Sequence, residues 1–337
     1  LLRNHGETIS RGWRTRFTDA YPHATTMLPP GERMPQSLID ATIWLLTNVP
    51  EDTTELPEEA RQRLRAIALD LRRTGFPAEE YPNAVRMLAD EIRAAGGVGD
   101  LPVLDAAAEV MRDAASQMDH EGVPAASAAQ ITSVDDRDGV KVVRLEAGTR
   151  VAYAPGQTLP VMSPEAPGVW TGLIPALPSN EFGQLEFHIG ADTGIDVEPG
   201  AWLTVGSGRG GLQGVVDKQV LMVASGTGLA AAKALIFHWL ERGEHPEVHL
   251  VSDATYDRAA LDTLAAAQDW LDVTWVVESR LGAPLERVIS GAGMWWGRDV
   301  IVCAGEDRAT QLSDAVNGAA NVQVIAHDAV PEWFSAS

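Results

Sequence analysis

The residues best suited to chemistry lie in Ser225-Gly226-Thr227-Gly228, with Asp253 and Gly305 further along. Gly226 and Gly228 let backbone N–H groups approach an anion closely. A helix beginning at Leu229 adds the positive end of its dipole. Asp253 stands just past a β-type run and can accept hydrogen bonds from ribose hydroxyls. Each also has a plainer reading. A Gly-Thr-Gly triplet makes ordinary strand-to-helix turns, and an Asp in such a loop is commonly a turn residue. Arg209, between Gly208 and Gly210, can meet a phosphate or simply turn the chain. Cys303 closes an apolar run and reads as buried rather than reactive. His188 and His249 sit in strand patterns and read as core or edge residues rather than ligands.

The elements that must position these residues follow from periodicity. Val220–Ala224 is a short apolar run suited to a strand buried on both faces, and Leu229–Trp239 has helical spacing. Beyond it, β-type runs at Val248–Ser252, Val273–Glu278, Val300–Cys303 and Val322–Ala326 alternate with helical patterns near 258–271, 284–289 and 309–316. That alternation predicts a Rossmann-like parallel sheet over 218–337. Upstream, 131–217 carries short β-branched or alternating runs, at 140–145, 151–153, 158–162, 184–189 and 202–205, separated by Pro and Gly. They predict an antiparallel barrel or sandwich. Residues 120–130 are small and polar and read as a linker. Residues 1–119 read as helix, with Leu38, Ala41, Trp44 and Leu45, then Leu64, Ile67, Ala68 and Leu71, then Val85, Leu88, Ala89 and Ile92 at three- and four-residue spacing.

Composition bounds the function. The 337 residues carry 47 acidic and 26 basic side chains, a formal net charge of −21. That balance argues against nucleic acid and anionic membrane as partners. A single cysteine excludes a disulfide framework and a cysteine-based zinc site, and no metal site is expected. No apolar run reaches the roughly 18 residues that span a bilayer. No signal peptide is visible, and the cytoplasm is the compartment expected.

Several segments resemble the flavohaemoglobins, in which a globin is fused to a ferredoxin-reductase-like pair of domains. His5–Ile9 and Ala20-Tyr21-Pro22 look like the first globin helices. Gly75–Val85 looks like the stretch that follows the haem-ligating histidine. Ala154–Gln157 is similar to the PGQ turn of the flavin barrel, and Leu185–Ile189 to a later barrel strand. Ala224–Gly228 resembles the pyridine-nucleotide loop, and Val302–Gly305 a worn CGP motif. The resemblance implies a globin-like helical domain, a ferredoxin-reductase-type β-barrel and a Rossmann-like sheet.

The family's chemical residues can be located by this resemblance. The place of the axial histidine, counted back from Tyr81, falls on Leu71. The distal tyrosine falls on Arg14 and the porphyrin-wedging aromatic on Leu28. The flavin fingerprint, Arg-x-Tyr-Ser, falls on Thr171, Gly172, Leu173 and Ile174. An aliphatic side chain cannot ligate iron, and Leu and Ile cannot make the flavin hydrogen bonds. No cofactor is therefore expected from the sequence, neither FAD nor haem, with NAD(P)H left open at Gly226, Thr227, Gly228, Asp253 and Gly305. The leading expectation is a pseudoenzyme acting as a protein-binding adaptor or regulator, with Trp295, Trp296, Trp333 and Phe334 as interface candidates and a homo-oligomer as a further option. The alternatives are an NAD(P)H-dependent oxidoreductase (nitric oxide dioxygenase or flavin reductase) with divergent cofactor sites, and a small-molecule sensor using the vacated pocket.

Overall fold

The computed structural model describes residues 2–97, 100–212, 219–276, 284–291, 297–316 and 318–328, with side chains from residue 5 onward. The chain divides into two compact units. Among the described residues, one contains those up to 126 together with 162–170; the other contains 127–161 and those from 171 to 328.

The first unit contains five α-helices: α1 Leu2–Ala20, α2 Gln36–Asn48, α3 Glu58–Leu71, α4 Tyr81–Ala94 and α5 Pro102–His120. Proline sets several starts. Pro57 precedes α3 with φ −55°, and Pro102 opens α5, where a missing N–H leaves no bond unmade. The helical spacing read from the sequence is the buried face. Trp44, Leu45, Leu64, Ile67, Leu88 and Ile92 are all buried. Trp13 and Phe17 share one face of α1, and Tyr21 follows directly after its end. Trp13 stacks on Phe17 at 4.7 Å, and Phe76 meets both Phe17 and Tyr21 at 5.1 Å. Where α3 packs on α5, Ala68 and Ala115 are fully buried, and their small side chains permit close approach.

The second unit contains two sheets. Six strands form one: β1 Ala126–Arg137, β2 Val140–Ala147, β3 Leu159–Met162, β4 Thr171–Leu173, β5 Gln184–Ile189 and β6 Trp202–Gly206. Their order is β4-β3-β6-β1-β2-β5, with antiparallel pairing at β1/β2, β2/β5 and β3/β4. A bridge from Pro175 to Phe187 joins the stretch after one edge strand to the other edge, so the sheet curls into a half-barrel. β1 begins at Ala126, inside the stretch read as a linker. Val151–Tyr153, predicted as a strand, is a loop. Side chains hold it instead: Tyr153 Oη donates to the Leu177 carbonyl at 2.9 Å and Ser179 Oγ to that of Val151 at 2.6 Å.

The other sheet is parallel, in the order β11-β10-β7-β8-β9. Its strands are β7 Gln219–Ala224, β8 Glu247–Ser252, β9 Leu271–Trp275, β10 Asp299–Ala304 and β11 Asn321–Ala326. Its helices are α6 Leu229–Arg242, α7 Arg258–Ala267, α8 Leu285–Gly291 and α9 Glu306–Ala315. Alternate residues of β7 enter different cores. Val220, Met222 and Ala224 pack with α6 and α7, while Leu221 and Val223 pack with α8 and α9. The helix predicted over 258–271 ends early because Trp270 leaves it, is buried, and passes its carbonyl to Val248 N at 2.8 Å. Among the described residues, no helix is long and apolar enough to cross a membrane.

The α3–α5 contact tolerates no added bulk. Ala115→Leu is expected to cost about 1–3 kcal/mol by overpacking. Urea denaturation measures this loss, and an unchanged midpoint would show the contact to be loose.

Candidate functional site

The order of the parallel sheet creates one special place. β7 is the first strand of this sheet in the chain, with β8 on one side and β10 on the other. The connections leave β7 and β10 in opposite directions, so a crevice opens at their carboxyl ends. Gly226–Gly228 stands at this point as a short 3-10 turn leading into α6. Gly226 has φ +56°, with open space where a Cβ would point. Gly228 is constrained from the other side, since a Cβ there would lie 2.0 Å from the Cys303 carbonyl oxygen of β10. Ser225 N–H donates to that same oxygen at 2.9 Å, which clamps the turn against β10.

Asp253, at the end of β8, faces the turn. Its Oδ2 accepts from Ser225 Oγ at 3.0 Å and lies 3.5 Å from Arg308 Nη2. Arg308 on α9 is also bonded to Glu286. The loop thus places a carboxylate and a guanidinium side by side. Gly305 caps α9, but Asp328 Oδ1 accepts Glu306 N–H at 2.7 Å, so a carboxylate already occupies that helix start. The start of α6 is formed by the Gly226–Gly228 turn. Cys303 is fully buried, and burial pushes its thiol up to about 12, which keeps it protonated and unreactive.

A second constellation was not singled out from the sequence. Leu185, Phe187 and Ile189 of β5 fill the half-barrel, so strand alternation sends Glu186 and His188 to the other face, where both are buried. There Lys233 Nζ of α6 donates to Glu186 Oε1 at 2.8 Å and to Asp257 Oδ2 at 2.5 Å. Arg144 binds Glu186 Oε2 at 2.9 Å, and Arg137 binds Asp257 Oδ1 at 2.5 Å. His188 Nε2 lies 3.0 Å from Glu186 Oε1, and its Nδ1 lies 2.8 Å from Tyr256 Oη. Burial lowers the His188 pKa, more than its carboxylate neighbour raises it. Burial raises that of Tyr256, so the phenol keeps its proton and donates to Nδ1. Glu186 is pushed up by burial, yet its bonds to His188 and Lys233 outweigh that and hold it well below the usual carboxylate range.

Glu186, His188 and Asp257 lie close enough to share a metal ion. The Lys233 ammonium already bridges the two carboxylates and supplies the cation. The Glu-x-His spacing on a strand could have been read from the sequence; the partners from α6 and the loop before α7 could not. His188 is a core residue, as expected, and His249 on β8 lies 2.9 Å from Thr274 Oγ1.

The positions identified by resemblance are placed as follows. Leu71 and Leu28 line a cavity of about 120 Å³ among the helices. No histidine lines it; Met27, Met34, Met111 and Tyr81 carry its only heteroatoms apart from Trp13, Thr42 and Thr74. Arg14 is buried and donates to the Pro29 carbonyl at 3.2 Å. Leu173 packs inside the half-barrel, and Ile174 packs with Val220, Met222 and Ile325. Thr171 pairs with Val161. A Cβ on Gly172 would lie 3.1 Å from the His327 carbonyl oxygen, so the chain itself approaches β4 there. Arg209 pairs its backbone with Thr158 in both directions. Trp295, Trp296, Trp333 and Phe334 lie outside the described residues.

Among solved structures, a flavohemoglobin from Malassezia yamatoensis matches over 94% of this chain and 94% of its own, with 15% identity and a TM-score of 0.59. The fold is flavohaemoglobin-like. A cytochrome P450 reductase from Amycolatopsis matches 60% of this chain and 69% of its own, at 17% identity and a TM-score of 0.51. No family model matches the chain, and no curated protein does. The globin-like bundle, antiparallel barrel and Rossmann-like parallel sheet expected from the sequence match the observed architecture, with the barrel present as a curled half-barrel.

The same comparison corrects the cofactor expectation. The Malassezia yamatoensis protein was solved with bound FAD and heme, so the inference that FAD and haem are not used is overturned. It failed because it equated loss of a motif with loss of a binding fold. The residues now at those motif positions do not themselves fit the groups. The lining of the helical cavity offers no imidazole, and β4 offers no flavin donor set. No chemical step is derived through either group.

The buried ionic cluster gives two measurable outcomes. Lys233→Met leaves two carboxylates facing each other and is expected to cost about 3–5 kcal/mol in chemical denaturation. His188 and Glu186 both have lowered values when folded, so the unfolded chain binds more protons. Stability is full above the ordinary imidazole value of 6.5 and falls as pH drops below it, then falls further below the ordinary carboxylate value of 4.5. His188→Gln removes the upper part of that slope, at most ~1.4 kcal/mol per pH unit. An identical pH profile in His188→Gln would show that the imidazole is not buried neutral.

Proposed function

We propose that the chain is an NAD(P)H-dependent oxidoreductase of the flavohaemoglobin kind, with its nucleotide held at the carboxyl edge of the parallel sheet. The observation that carries this reading is the position of Gly226–Gly228, at the switch point between β7 and β10 and at the start of α6. The remaining N–H groups of the turn, Gly228 N–H being spent on the Ser225 carbonyl, and the α6 dipole hold the pyrophosphate. Open space at Gly226 lets the phosphate approach the backbone. Asp253, oriented by Ser225, accepts the ribose hydroxyls. Bound NAD(P)H supplies a hydride; the chain's residues bind and orient it and keep Cys303 out of the chemistry.

The reading is tested by titrating NADH and NADPH against the full chain by calorimetry, then assaying reduction of an added electron acceptor. Binding at the Gly226 turn and turnover above the protein-free rate are expected. Absence of both would sink it in favour of the protein-binding adaptor. Asp253→Ala is expected to weaken NADH about 10-fold or more, the worth of a charged hydrogen bond. It should weaken NADPH less, because the change removes a negative charge that would repel a 2′-phosphate while Arg308, still paired with Glu286, stays at the rim. Equal losses for the two nucleotides would place the ribose elsewhere.

A further inference from the structure

We infer that the nucleotide taken at the Gly226 turn is NADH rather than NADPH, and that Glu286 on α8 sets this choice by holding Arg308. The choice presupposes a nucleotide at that turn, as proposed above. Asp253 Oδ2 accepts from Ser225 Oγ at 3.0 Å, which fixes its carboxylate beside the turn. Arg308 Nη2 lies 3.5 Å from the same oxygen. A free guanidinium there would suit a ribose 2′-phosphate. This one is already engaged. Arg308 Nη2 donates to Glu286 Oε2 at 3.2 Å, and Nη1 donates to Glu286 Oε1 and to Gln311 Oε1, the latter at 3.3 Å. The pair is a two-pronged match of guanidinium to carboxylate, the strong form of this contact. Burial alone would raise the Glu286 pKa. Bonds from its own backbone and from Arg308 outweigh that and lower it, so the group stays ionised at neutral pH.

The charges then decide between the two nucleotides. Two carboxylates, Asp253 and Glu286, bracket one guanidinium and leave the trio net negative. The first turn of α9 adds Glu306 and Asp307. Arg258, at the start of α7, is bonded to Asp262 on its own helix at 3.0 Å. A ribose 2′-hydroxyl can donate to Asp253. A 2′-phosphate carries about −1.5 to −2 charges at neutral pH, so it meets like charge and a cation whose bonds are already made. Glu286 is a positioning residue: it acts on the nucleotide only through Arg308.

Calorimetry on the full chain compares NADH with NADPH. NADH is expected to bind about 10- to 100-fold tighter, the worth of a hydrogen bond to a charged group together with a like-charge repulsion. Glu286→Gln, with Glu286→Ala as a second way of releasing the guanidinium, should narrow that ratio about 10-fold by tightening NADPH. Adding Arg308→Gln to either variant should restore the native ratio, which a merely structural role for Glu286 would not produce. The inference is overturned if the native chain binds NADPH as tightly as NADH, if both Glu286 variants leave the ratio unchanged, or if the gain for NADPH survives the loss of Arg308. Failure of both nucleotides to bind the native chain would instead sink the nucleotide reading itself, and the coenzyme choice with it.

Discussion

The Lys233 ammonium, buried between Glu186 and Asp257, is the constraint around which the second unit is organised. Charges taken out of water are tolerated only when their partners are fixed. Glu186 belongs to the half-barrel, Lys233 to the first helix of the parallel sheet, and Asp257 to the loop before α7. Three elements distant in sequence are therefore held in one geometry. Arg137 and Arg144 complete the cluster from β1 and β2. Lys233 lies in the second turn of α6, so the cluster ties down the same end of the helix that follows the turn at Gly226–Gly228. The ion cluster is structural, yet it positions the element that can hold a phosphate.

At the turn itself the constraint is steric. The Cys303 carbonyl of β10 receives Ser225 N–H and leaves no room for a side chain at Gly228. The crevice opens at the same spot because the sheet order reverses there. Asp253 and Arg308 add a carboxylate and a cation at its rim, the two charges that distinguish a ribose hydroxyl from a ribose phosphate. At the start of α9 the Asp328 carboxylate accepts Glu306 N–H, so that helix start is already filled.

The helical unit is organised differently. It has aromatic stacking along α1 and a close alanine contact between α3 and α5, but its centre is not filled. Where the flavohaemoglobin resemblance places an axial histidine, the cavity is lined by Leu71, and the nearby tyrosine keeps an unpaired hydroxyl. The chain shares its fold with a protein solved with bound FAD and heme, although the motif positions hold Leu71, Leu173 and Ile174. Fold is maintained by apolar spacing and turn chemistry, which change slowly with individual site residues.

The sequence by itself determined the architecture. Period 3.6 in the first third, short punctuated β-runs in the middle and strand–helix alternation at the end are local signals that match the observed elements, apart from the loop at 151–153, the start of β1 inside the expected linker and the early end of α7. It also placed the glycine turn, because a strand, two glycines and a helix start are neighbours in the chain. Tertiary structure alone decided the rest. The Glu186–Lys233–Asp257 cluster joins residues whose separation in sequence carries no periodic signal. The steric role of Gly228 depends on a carbonyl 75 residues away. The early end of α7 follows from the burial of Trp270 against a neighbouring strand, which outweighed the helical pattern of its own segment.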